Sequence, residues 1–210
     1  MAIKIIPFIL GPIENNSYLV IDLSSQKGAI VDPSFGSKQI LDEAVKNHIH
    51  ITQIWCTHAH FDHISGINEI MPEITPSPEI YLHKDDLPLW KEHGGAKLFG
   101  FPFENNYSPT QFLKNSDSIQ LGETYIQTRF TPGHTPGHII YLLSDENIVF
   151  CGDLIFRMSV GRTDLPGGNH SQLLRSIEQE IKPLPDETRL LSGHGPETTV
   201  QYEKKHNPFL

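Results

Sequence analysis

The run Thr57-His58-Ala59-His60-Phe61-Asp62-His63 decides how this chain is read. Residues 51–57, apolar and β-branched, predict a strand that leads into it. Ile64, Ile67 and Ile70 then follow at helical spacing until Pro72 stops them. Side chains alternate along an extended segment, so His58, His60 and Asp62 point one way and His63 another. Where the chain turns from strand into helix, those directions converge on one space. Three imidazoles and a carboxylate within six residues exceed what one tetrahedral metal needs, which points to two neighbouring metals sharing the set.

Three further candidates stand at the ends of predicted strands. His134 lies in Thr131-Pro132-Gly133-His134-Thr135-Pro136-Gly137-His138, a tight loop after the strand at residues 125–131. Asp153 follows the strand at 148–151, and His194 follows the one at 189–191. Gly152 and Gly193 precede them, and glycine permits the sharp turn that aims a side chain off a strand end. Alone, each of these reads more simply as a turn residue. Together, seven His and Asp residues at four strand ends read as a metal centre.

The other strands fall at residues 3–9, 18–23, 29–31, 80–82, 118–121 and 138–143, with Gly11-Pro12, Asn15-Asn16 and Gln26-Lys27-Gly28 as turns. Ile40, Leu41, Ala44 and Val45 share one face of a helix over about residues 37–47. Leu173, Leu174, Ile177 and Ile181 mark a second helix, which ends before Pro183. Strands then helix recur in both halves, predicting two sheets covered by helices in one α/β or α+β domain over residues 1–210. Residues 85–115 are irregular, with Trp90, Phe99, Phe101, Phe103 and Phe112. They read as a short helix and a long loop that either walls a pocket or is pinned by its own aromatics.

The 210 residues are 38% hydrophobic and 20% charged, an ordinary globular balance that excludes disorder. Sixteen basic and 25 acidic residues give a net charge of −9 with no basic run, so neither nucleic acid nor an anionic membrane surface is the expected partner. No apolar run approaches the ~20 residues of a membrane span. The N-terminus reads as a first strand, not a signal peptide, and Cys56 and Cys151 make no disulfide framework. A reducing cytoplasm is therefore the expected location. Both cysteines sit among apolar strand residues and read as buried, inert thiols. His48, His50, His93, His170 and His206 lack ligand spacing and read as surface or capping residues, and His83 is not expected to line the pocket.

With His134, Asp153 and His194, the pattern His58-x-His60-x-Asp62-His63 resembles the metallo-β-lactamase superfamily. The resemblance implies a four-layer αββα sandwich with a binuclear site at one edge of the paired sheets. Residues 131–138, Gly152-Asp153 and Gly193-His194-Gly195-Pro196 look like the glyoxalase II (hydroxyacylglutathione hydrolase) branch, and residues 202–210 look like the ending of its short bacterial members. Carried over, the family pattern puts His58, His60 and His134 on one metal, Asp62, His63 and His194 on the other, and Asp153 between them. The implied cofactors are two divalent ions, zinc first, with iron or manganese as alternatives. The implied nucleophile is a hydroxide held at the metals by Asp62 and Asp153, so no Ser or Cys nucleophile is needed. His138 corresponds to a scaffold residue.

The implied substrate is a small thioester of the S-lactoylglutathione type. Two-domain relatives contact glutathione through a C-terminal helical domain that is not expected here. Glutathione anchors would come from residues 90–112, Arg157, Arg162, Lys204 or Lys205. Arg162, in Gly161-Arg162-Thr163-Asp164, reads either as an ion pair with Asp164 or as the contact for an anionic substrate. The same four residues resemble a persulfide dioxygenase branch, an oxidoreductase with one iron at the equivalents of His58, His134 and Asp153. A true β-lactamase is disfavoured by Asp153 and the lack of an export signal. A nuclease is disfavoured by the acidic charge, and a non-catalytic binding module by the complete ligand set. The oligomeric state is left open.

Overall fold

Short β-branched runs separated by turns assemble into two sheets of six strands each. The computed structural model describes residues 3–114 and 116–210; Met1 and Ala2 of the expected domain and Asn115 of the aromatic stretch lie outside the described residues. The first sheet holds β1 (Ile3–Leu10), β2 (Asn15–Asp22), β3 (Lys27–Val31), β4 (His50–Trp55), β5 (Glu79–His83) and β6 (Gln111–Leu113) side by side in chain order. β1 to β3 run antiparallel and β3 to β6 parallel. Parallel neighbours need crossovers. These carry α1 (Lys38–Lys46), the single turns α2 (Phe61–Ile64) and α3 (Ile67–Ile70), and α4 (Leu87–Lys91).

The second half continues with β7 (Ser118–Leu121), β8 (Thr124–Phe130), β9 (Ile139–Leu143) and β10 (Ile148–Gly152). A small hairpin of β11 (Ile155–Phe156) and β12 (Ser159–Val160) precedes α5 (His170–Glu180). β13 (Arg189–Ser192), β14 (Thr198–Thr199) and α6 (Val200–His206) complete the chain. The second sheet has the order β14-β13-β10-β9-β8-β7, parallel only between β10 and β13.

Alternation along the strands explains the layers. Tyr18 and Val20 of β2 meet Ile139 and Tyr141 of β9 between the sheets, where Trp55 stacks on Tyr141 at 5.3 Å. Leu19 and Ile21 point the other way, onto Ile40 and Leu41 of α1. Ile140, Leu142 and Val149 of the second sheet pack beneath Leu173 and Ile177 of α5 and Val200 of α6. Both faces of each sheet are covered, which is why the central strands are continuous apolar runs. Each such buried side chain contributes ~1.5–3 kcal/mol. The result is the expected αββα sandwich. Among the described residues no helix is long and apolar enough to cross a membrane.

Five local readings need correction. The turn expected at Gln26-Lys27-Gly28 falls at residues 23–26, and Lys27 and Gly28 already pair with Asp22 and Ile21 in β3. Asn15 and Asn16 are buried strand residues, not a turn, because their amides find partners in the second sheet: Asn16 Nδ2 donates to Ser192 O (3.0 Å) and Gly195 O (2.7 Å). Val45 lies off the apolar face of α1 and is 74% exposed. Residues 111–113 form an edge strand because β5 offers them a parallel partner, although three residues carry almost no periodicity. α6 was not anticipated; the Thr199 side chain caps it by accepting from Tyr202 N at 3.2 Å.

Candidate metal centre

The candidate residues all leave the C-terminal ends of strands. The loop after β4 carries His58, His60, Asp62 and His63; those after β8, β10 and β13 carry His134, Asp153 and His194. His60 is still extended (φ −65°, ψ 146°) when the turn of α2 begins at Phe61, and this switch swings His63 back toward His58. Gly152 has φ +46°, while a Cβ on Gly193 would come within 2.3 Å of Asp153 Oδ1 and 2.6 Å of His63 Cε1. The two glycines thus allow the Asp153 turn and the close approach of the His194 loop.

Potential ligand atoms meet in three overlapping groups, each within 4.8 Å: His58, His60 and His134; His58, His63 and Asp153; and Asp62, His63 and His194. His134 Nε2 lies 2.8 Å from His60 Nδ1 and 3.2 Å from His58 Nε2. On the other side His194 Nε2 lies 3.1 Å and His63 Nε2 3.4 Å from Asp62 Oδ2. Asp153 stands between the two sides. Its Oδ1 is 3.4 Å from His63 Nε2, and its Oδ2 is 3.5 Å from His134 Nε2 and 3.8 Å from His194 Nε2.

Hydrogen bonds behind the cluster orient the rings. His134 Nδ1 donates to Arg162 O at 2.7 Å, and His63 Nδ1 donates to Asp32 Oδ2 at 3.0 Å. The Thr57 hydroxyl donates to Asp32 Oδ2 (2.7 Å), which leaves its oxygen to accept from His58 Nδ1 (3.0 Å). In all three rings Nε2 is thereby turned inward, the nitrogen that a metal would use. His138 joins none of the groups. It stacks on His58 at 5.3 Å and shares its Nδ1 with Thr131 Oγ1 at 2.8 Å.

The donor set fits cations. Three imidazole nitrogens crowd one point, where they cannot all satisfy one another. Asp153 Oδ1 is buried without a hydrogen-bond partner among the described residues. Electrostatics divides the cluster. Burial, then neighbouring imidazoles, hold His58 far below the ordinary histidine range, and burial with His134 brings His60 to about 3. Burial also lowers His134. His63 goes the other way: burial opposes its charge, but Asp62, Asp153 and Asp32 together push it well above 6.5. Asp62 and Asp153 stay ionised, since the surrounding imidazoles outweigh their desolvation.

Two supports were not visible beforehand. Asp32, in the left-handed region at φ +48°, ties His63 to Thr57. Asp86, fully buried just before α4, accepts from Ala59 N (2.9 Å), Thr135 Oγ1 (2.8 Å) and Gly137 N (2.6 Å). It clamps the loop of His58 and His60 to the loop of His134. Burial raises its carboxyl to about 6 against those three bonds. The only hint of Asp32 was an Asp-Pro directly after a strand. Asp86 had none, because its partners are backbone groups far away in the chain.

The cluster opens into a cleft of about 420 Å³ walled by Ile13, Phe99, Phe101, Phe156 and Val160. The aromatic stretch therefore serves both purposes foreseen for it, since Trp90 and Phe103 are buried in the core. Arg162 lines the cleft, but its Nε and Nη2 donate to Asp164 at 2.7 and 2.8 Å, so the ion pair is formed. Cys56 and Cys151 are buried free thiols raised by desolvation, as expected of inert ones. His83 is buried against Phe130 at 4.5 Å, away from the cleft.

The family profile described as the metallo-beta-lactamase superfamily matches residues 10–194. A probable metallo-hydrolase, YqgX of Bacillus subtilis, is 38% identical over 96% of this chain and 94% of its own length. Hydroxyacylglutathione hydrolase GloC of Haemophilus influenzae is 30% identical over 100% and 98%. Among solved structures, the BLEG-1 B3 metallo-beta-lactamase superposes with a TM-score of 0.92 at 34% identity, covering 99% of both chains. TTHA1623 in a di-iron-bound form gives 0.88 at 34%, covering 98% of this chain and 100% of that one. ETHE1 from Myxococcus xanthus gives 0.78 at 26%, covering 99% and 84%.

Proposed function

The chain belongs to the metallo-β-lactamase superfamily, and on that footing we propose that it is a binuclear metal-dependent hydrolase of thioesters of the hydroxyacylglutathione type. One observation carries this reading: two groups of potential ligands face each other across Asp153, each complete enough for a cation. His58, His60 and His134 would hold one ion, Asp62, His63 and His194 the other, with Asp153 reaching both. Two divalent ions bound there, zinc or iron, supply a hydroxide at neutral pH and a Lewis acid for the carbonyl.

The chain's own residues do the rest. Asp62 and Asp153 would hold the nucleophile in place, since their carboxylates stand among the two groups of rings. Ile13, Phe99 and Phe156 exclude water around the acyl carbon. Asp32 and Thr57 keep His58 and His63 from rotating. A thiolate leaves without a proton donor, because its conjugate acid has a pKa of ~8.5. That makes a thioester suit a site in which His63 and His194 would be taken up as metal ligands and would not serve as proton donors. The likeness to GloC supports this choice of substrate.

The likeness to ETHE1 favours a second reading, the single-iron persulfide dioxygenase using His58, His134 and Asp153. It leaves Asp62, His63 and His194 without a task. The test is turnover of S-D-lactoylglutathione by zinc- and iron-loaded protein against a metal-stripped control. A β-lactam arm is included because of the BLEG-1 likeness. Metal-dependent thioester cleavage is the expected result. Sulfite production from glutathione persulfide at one iron per chain, without thioester cleavage, would replace it.

A further inference from the structure

A second recess, of about 560 Å³, opens beside the metal cleft, and His60, Phe99 and Leu165 line both. It exists because Gly94, at φ +65°, lies flat on the metal loop: a Cβ there would stand 2.3 Å from Phe61 N and 2.7 Å from Ala59 O. Only glycine allows that approach in that conformation. The chain at residues 93–99 thus roofs the loop of His60 and leaves a gap facing Leu165.

The walls of this gap are apolar, formed by Leu89, Leu98, Phe99, Phe103, Leu165 and Pro166. Leu98 is 67% and Phe99 42% exposed, and these large apolar residues flank one cavity instead of standing singly on the surface. The charged side chains in the lining, Glu92 and Lys97, are exposed to solvent. His93 has its Nδ1 occupied by Asn105 N at 3.0 Å. The volume lies in the ~300–1,000 Å³ range of small-molecule pockets. The cleft beside it carries Arg162, Ser159 and His194.

We propose that this recess binds the hydrocarbon part of the acyl group, so that the substrate is a thioester of an apolar acyl chain longer than lactoyl. The chain would lie between Leu98, Phe103 and Leu165, with the carbonyl beside His60. The anionic thiol half would leave along the arm of Arg162. This rests on the thioester reading and specifies its acyl half.

The test compares S-acetyl-, S-butyryl-, S-hexanoyl- and S-octanoylglutathione with zinc-loaded protein. kcat/KM should rise about fourfold for each methylene buried and level off once the recess is full. Leu98→Asp should flatten the series, and Leu165→Asp serves as a second variant should the first fold poorly. Independently of catalysis, octanamide should shift the NMR signals of residues 89–99 in the zinc-loaded protein, and Leu98→Asp should abolish those shifts. Thioester hydrolysis with no dependence on chain length overturns the recess assignment. Octanamide binding without hydrolysis of any thioester keeps the recess as an apolar ligand site and overturns the thioester reading. Neither binding nor hydrolysis overturns both.

Discussion

The two halves of the proposed metal centre are built on opposite principles. His58, His60 and His134 form a buried half whose own three candidate ligands are all imidazoles, and desolvation holds each ring below the ordinary histidine range. Asp62, His63 and His194 form a half rich in negative charge, with His194 partly open to solvent. There His63 is held above its ordinary pKa, and so is His194, whose bond to Asp62 outweighs its burial. The first half is ready to receive a cation. The second keeps protons in the cation's place and must release them on loading. Three imidazoles and a clamp therefore make a pre-formed site, whereas carboxylates around imidazoles make a site whose occupancy follows pH.

The strongest way to break this contrast is Asp153→Ala, since Asp153 is the carboxylate that reaches both halves. It should weaken both metals by more than the ~10–100-fold typical of supporting residues, read by metal content after dialysis. Retention of both ions and full turnover would show that nothing bridges. His194→Ala should act on one side only, with loss beyond ~100-fold at the second half and less than ~10-fold at the first.

Asp86→Asn should sharpen the contrast from the other side. An amide cannot accept from all three donors, so the three-histidine half should lose about 10–100-fold in metal affinity while the second half changes little. Equal loss at both halves would mean that Asp86 supports the fold generally.

Acid should separate the halves without any mutation. A raised pKa means that His63 gains its proton at a higher pH than His60, whose proton arrives only near 3. As pH falls, metal should therefore leave the second half first, and an intermediate with one ion per chain should accumulate. For the metal-free protein the same shifts act on stability. His58 and His60 contribute stability above about 6.5 that is lost as pH falls toward their lowered values, while His63 contributes below 6.5 and loses it as pH rises through its raised value. Simultaneous release of both metals would contradict the division.

The smallest effect belongs to Arg162→Ala. The side chain is exposed and already paired with Asp164, so KM for glutathione thioesters should rise less than about fivefold, with kcat unchanged. Its backbone oxygen, the partner of His134 Nδ1, survives the substitution.

What was legible beforehand follows the same line. Residues 57–63 concentrate their signal locally, and Gly-Asp and Gly-His at strand ends repeat it, so the cluster could be read from spacing and turn chemistry. Asp32, Asp86, Asn15 and Asn16 act across the sandwich on groups distant in the chain, and no local pattern carries such a role. The recess escaped for another reason. Gly94 and the aromatics around it were visible, but which side of Phe99 faces His60 depends on how residues 93–99 lie over the metal loop.

The central claim is that this chain works with two metals. Metal-stripped protein would be titrated with zinc, and in parallel with ferrous iron. Bound metal per chain and S-D-lactoylglutathione turnover would be measured at each addition. Activity should emerge as the second equivalent binds and disappear on chelation. Full activity at one equivalent, or activity that survives the chelator, would contradict the account.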